Sequence, residues 1–164
     1  MATLAELDLV GSIFKIDPGL DPAVQPERLI YASPRLVHWI DQTLHQLVSD
    51  LGVESSPLEQ VGILFEEFCS GEELAVGPRF HVMRPAVASV WELKTPDIRI
   101  FGWFALRDHF VACAADTADR CKRHDLYSGY RTETINFRNQ LDLNEPKFVA
   151  GDAPHAVVSN YHYP

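Results

Sequence analysis

Two stretches of this chain gather side chains able to act on an anion. The first is a twelve-residue run, "RCKRHDLYSGYR", which holds Arg120, Lys122, Arg123, His124, Tyr127, Tyr130 and Arg131. Cations meet phosphates and ring faces stack on splayed bases, so this mixture suits a single-stranded nucleic acid. The second is Val90–Phe104, "VWELKTPDIRIFGWF", two apolar runs around a Thr-Pro-Asp turn with Lys94 in one arm and Arg99 in the other. RNA can be cleaved through its own 2′-hydroxyl without a metal. That reaction requires a group to accept the hydroxyl proton, cations to stabilise the crowded phosphorane, and an acid near the leaving oxygen. A histidine beside Arg and Lys could supply those parts, because imidazole titrates near neutral pH. The competing reading is a solvated charged loop in which Asp116, Asp119 and Asp125 offset the cations, and exposed ion pairs of that kind contribute little.

Other chemistries find less support in the residues. Seven histidines are present, but none forms an HxH or HExxH pattern. His38 and His45 lie seven apart and share a helix face without a third convergent ligand, so no metal and no cofactor is expected. There is no GxSxG for a serine nucleophile, and "GSIF" lacks the glycine pattern of a phosphate-cradling loop. Cys69, Cys113 and Cys121 are odd in number with no CxxC pair, which reads as free thiols in a reducing compartment.

The elements that must position these side chains are marked by caps and periods. Residues 1–32 read as a short helix, a Pro-rich extended arm and a brief strand at "RLIYA". Ser33-Pro34 opens a helix whose apolar stripe is Leu36, Ile40, Leu44, Leu47 and Leu51, stopping at Gly52. Ser56-Pro57-Leu58-Glu59 is a capping box that opens a second helix, with Leu58, Val61, Phe65 and Phe68 on its apolar face and Gly71 at its end. After that the period changes. "RFHVMRP", "ASVWELKT", "IRIFGWFA" and "HFVACAAD" are short β-rich runs, and the last three are spaced too tightly for crossover helices, which predicts an antiparallel meander. From Thr132, "TETINFRNQLDL" returns to helical spacing, and the tail reads as a strand with a disordered end. The predicted fold is α+β: two N-terminal helices on an antiparallel meander, with a further C-terminal helix. Its parts are an extension over 1–32, a domain over 33–145 and a tail over 146–164.

Alternation along the hairpin assigns the two faces. Trp91, Leu93, Ile98, Ile100 and Phe104 are predicted to pack against the two helices. Glu92, Lys94 and Arg99 then share the open face with Phe101 and Trp103, two exposed aromatics that would need a ligand or partner.

Composition frames this picture. Apolar residues make up 46% of the 164 and charged residues 23%, a globular balance, and no run approaches the roughly 18 apolar residues of a membrane span. Acids near the N-terminus argue against export, so a cytoplasmic protein without a membrane partner is expected. The formal charge of −9 argues against a whole-surface nucleic-acid binder. Yet residues 79–138 carry a net +3 while the remainder carries −12, which implies a locally basic surface on an acidic body.

The order helix, helix, meander resembles the RelE/HigB/ParE toxin superfamily. Trp91-Glu92-Leu93-Lys94 is similar to the first strand motif of its HigB-like branch, Arg99-Ile100-Phe101 to the second, and Phe110–Ala115 to the third. Lys122-Arg123 falls where the family often carries paired lysines. The likeness covers roughly 33–140. It implies a RelE-like fold and an mRNA endonuclease that commonly acts on the ribosome and is silenced by an antitoxin protein. It also implies that Lys94, Arg99 and His124 carry catalysis. Lys122, Arg123, Arg120, Tyr127, Tyr130, Phe101 and Trp103 would then bind RNA. The chain departs from the family's pattern in its acidity and in the residues before the first matched helix, an arm that could cover the sheet or build a homodimer. A descendant that kept the fold as a non-catalytic protein-binding module is the alternative.

Overall fold

A computed structural model describes residues 1–164. Its centre is a six-stranded sheet of β1 (Phe14–Lys15), β2 (Leu29–Ala32), β4 (Phe80–Val82), β5 (Trp91–Lys94), β6 (Ile98–Leu106) and β7 (His109–Thr117), in the spatial order β1-β2-β7-β6-β5-β4. Strands β4 to β7 form the antiparallel meander that the short turns require. Strand β2 lies parallel to β7, so the N-terminal arm supplies part of the sheet itself. The fold is α+β, with a mostly antiparallel sheet. No helix is long and apolar enough to cross a membrane.

Helices α2 (Pro34–Gln42) and α3 (Pro57–Ser70) begin as their caps dictate. The Ser33 side chain accepts from the Leu36 N–H, and Ser56 and Glu59 satisfy each other's backbone donors in a capping box. Gly71 closes α3 in the left-handed region at φ 85°, where a side chain is disfavoured. These helices cover one face of the sheet and bury Trp91, Leu93, Ile98, Ile100 and Phe104, as the alternation predicts.

Two details of the helices differ from the expected stripes. The first helix stops at Gln42 and continues only as a 3₁₀ turn over Leu44–Gln46, and Leu51 is exposed. Further along, the Asp50 and Leu51 N–H groups donate to Asp97 Oδ1 at 3.0 and 3.3 Å instead of to carbonyls of a continuing helix. On α3 the buried stripe is Val61, Leu64, Phe65 and Phe68, with Leu64 taking the place expected for the exposed Leu58.

The opposite face of the sheet is also covered. Helix α5 (Tyr127–Gln140) lies across β6 and β7, and α1 (Leu4–Leu9) packs beside it through Leu4 and Leu7. Phe101 and Trp103, predicted to be exposed, are therefore fully buried. Tyr130 stacks on Phe101 with centroids 4.8 Å apart, and Phe137 lies 5.9 Å from Trp103. At Gly102 the backbone leaves no room for any side chain, because a Cβ there would come within 2.1 Å of the Val111 carbonyl oxygen. The tail is a short helix, α6 (Pro154–Val157), and strand β8 (Tyr161–His162), which pairs in parallel with β3 (Leu74–Ala75).

Candidate functional site

Side chains from β4, β5, β6, α4 (Ala118–Arg123), α5 and the tail meet in one open cleft of about 930 Å³. Strand alternation puts Glu92, Lys94 and Arg99 on the face away from α2 and α3, and α4 and α5 bring Lys122, Tyr127 and Arg131 to the same cleft. Arg84 stands at the rim, and Asp152 and His155 form the tail's part of the wall. Five guanidinium and ammonium groups thus share the cleft with the carboxylates of Glu92 and Asp152. On a chain of net charge −9 this is a concentrated positive site, suited to an anionic ligand.

Glu92 anchors the floor. Its side chain is 4% exposed, and Oε2 lies 2.7 Å from His81 Nε2 on the neighbouring strand β4. Its Oε1 is buried without a hydrogen-bond partner and lies 3.8 Å from Arg99 Nε. Arg99 is itself held from behind, since Nη1 donates to the carbonyls of Thr95 at 2.6 Å and Ile98 at 3.0 Å. Burial lowers the pKa of Lys94 below the ordinary lysine value, the charges of Arg99 and Lys122 push the same way, and Glu92 opposes them. Burial raises the Tyr127 phenol, with Glu92 adding to the shift and Arg99 opposing it. Lys94 therefore carries its charge among like charges, an arrangement that a bound anion would relieve.

The cleft collects only part of the sequence-predicted site. Lys94, Arg99, Lys122 and Tyr127 line it, and Arg131 joins them. His124 does not: it caps the C-terminus of α4, exposed and outside the cleft. Arg120 donates from Nε to both oxygens of Asp116, at 3.1 and 3.2 Å, and Arg123 pairs with Asp119, so these two cations sit on helix α4 offset by acids one turn away and do not line the cleft. Tyr130 donates its hydroxyl to Asp116 Oδ2 at 2.6 Å and spends its ring face on Phe101. Phe101 and Trp103 have no accessible surface to offer a base. Sequence reasoning missed His81. The signal was present in "RFHVMRP", where alternation sets His81 on the same face as Glu92 once β4 and β5 pair in register.

The thiols lie apart from this chemistry. All three cysteines are free and buried, and burial pushes Cys69 up to about 11 and Cys121 up to about 12, values that leave them as unreactive thiols.

No family model, no curated protein and no solved structure matches this chain.

Proposed function

We propose that this chain is a metal-independent endoribonuclease of the RelE/HigB toxin kind, which cuts mRNA on the ribosome and is silenced by an antitoxin protein. The observation that carries the reading is the convergence of Lys94, Arg99 and Lys122 in one open cleft of an otherwise acidic chain. In this reading Lys94 and Lys122 bind the non-bridging oxygens of the scissile phosphate. Arg99 supplies fixed positive charge where negative charge grows on the phosphorane, and a group already held in place pays no reorganisation cost during the reaction. The Tyr127 ring stands at the wall where a splayed base can stack.

One observation favours a second reading. Arg99 is 8% exposed and tied to two backbone carbonyls, as a structural arginine would be. A non-catalytic module of the same fold would use the cleft only to hold an acidic segment of a partner protein.

Brief induction in a bacterial host, followed by primer extension on cellular mRNA, separates the two. Wild type is compared with Lys122→Ala and Arg99→Ala. The proposal predicts new mRNA ends with wild type that are lost in both variants. Intact mRNA in the presence of folded wild-type protein would leave the partner-binding module.

A further inference from the structure

The cleft contains a proton acceptor that the run around His124 does not supply. We propose that His81 is the general base of this cleft and that Glu92 positions it, an inference that rests on the RNA-cleaving reading above. Three observations meet here. His81 and Glu92 are directly opposite in the β4–β5 register, and their Nε2 and Oε2 atoms are 2.7 Å apart. The Glu92 side chain is 4% exposed and its Oε1 has no hydrogen-bond partner, whereas the His81 side chain is 36% exposed and borders the cleft. Lys94 on β5, Arg99 on β6, Tyr127 on α5 and Lys122 on α4 line the same cleft as the pair, three of them cations.

The division of labour follows from access. Glu92 is too deeply buried to reach a bound nucleotide, so it acts through the imidazole. An Nε2–H donated to the carboxylate fixes the neutral tautomer and leaves the lone pair on Nδ1. The buried carboxylate also stabilises the imidazolium that forms when Nδ1 takes a proton. Lys94, Arg99 and Lys122 then act on the phosphate rather than on the base.

The step balances without a further reactant. The 2′-hydroxyl proton moves to His81 Nδ1, and the 2′-oxygen electron pair forms a bond to phosphorus. The bond from phosphorus to the 5′-oxygen breaks, and that oxygen leaves with its electron pair and takes a proton from water at the open side. His81 later returns its proton to solvent. The products are a 2′,3′-cyclic phosphate and a 5′-hydroxyl, and nothing is oxidised or reduced.

The test uses the full chain and a single-stranded RNA, with and without programmed ribosomes. His81→Ala is expected to lower the cleavage rate about 10²–10⁴-fold, the usual contribution of a general base, while binding of a 2′-deoxy version of the RNA stays unchanged. Added imidazole should restore part of the rate, and His81→Gln, which keeps more of the side chain's bulk, should be as slow as the alanine variant. For Glu92→Gln, the ¹⁵N spectrum of His81 should show the loss of a single Nε2–H tautomer, because an amide can donate as well as accept. Cleavage by His81→Ala at the wild-type rate, in a wild type that does cleave, would overturn this role and leave the nuclease standing. Absence of cleavage by folded wild type would overturn both.

Discussion

Burial lowers the Lys94 pKa, and the neighbouring Arg99 and Lys122 charges add to the effect. The folded chain therefore releases this proton at lower pH than the unfolded chain. Between the two values the unfolded state holds more protons, so this site makes stability rise with pH across that window. Below it, the full cost of keeping the charge in the fold is present. Lys94→Met is expected to raise the melting temperature at neutral pH. It should also weaken single-stranded RNA binding and flatten the log–log salt dependence by about 0.7, the share of one phosphate contact. Thermal melts and fluorescence anisotropy at several salt concentrations read these effects. A lower melting temperature with unchanged binding would show Lys94 to be structural. His81 illustrates the limit of reading single residues from sequence. Its proposed role rests on Glu92, eleven positions on, and becomes legible only once the strand register brings the two together.

At the scale of elements, helix starts are legible in local signals, whereas burial by distant segments is not. Ser33-Pro34, Ser56-Pro57 with Glu59, and Gly71 fix helix ends through bonds within a few residues, and the structure keeps all of them. The meander strands and the helix-facing apolar set follow from period-2 alternation. The burial of Phe101 and Trp103 was not legible in the hairpin, because it depends on α5 and α1 folding over the second face from distant parts of the chain. The non-helical path of residues 50 and 51, where the stripe predicts helix, depends likewise on a distant residue, Asp97 of the β5–β6 turn. Its carboxylate accepts from the Asp50 and Leu51 amides and from Gln60 Nε2 at 2.7 Å. Burial alone would raise this carboxyl, but bonds from Ser49, Gln60, Leu51 and Asp50 outweigh it and hold the pKa below the ordinary value. Its stabilisation is thus full above the unfolded-state pKa of about 4 and is lost as pH falls through the lower folded value. Asp97→Asn should cost about 1–3 kcal/mol at neutral pH and flatten the acid limb of the stability curve, as urea denaturation at several pH values would show. An unchanged acid limb would remove Asp97 from this role.

At the scale of the molecule, the charge pattern supports the proposed function. The acidic body repels a polyanion, whereas the basic stretch over 79–138 contributes all five of the cleft's guanidinium and ammonium groups. In the proposed function, this confines attraction for RNA to one place and favours a single bound strand over general adhesion. The tail is integral to this arrangement. Arg28 is fully buried and donates to the carbonyls of Phe68, Glu72 and Asn160, joining the N-terminal arm, the end of α3 and the segment that leads into β8. Residues 152–155 of that tail wall the cleft. The central claim is that this cleft cuts RNA through its own 2′-hydroxyl, and end-group analysis of a labelled oligonucleotide tests it most directly. Purified protein is incubated with an RNA and with the same sequence carrying one 2′-deoxy residue at the cut, each with and without programmed ribosomes. Cleavage of the RNA alone, leaving a 2′,3′-cyclic phosphate and a 5′-hydroxyl, is the predicted result. Cleavage of both, 5′-phosphate ends, or no cleavage by the folded protein would contradict it.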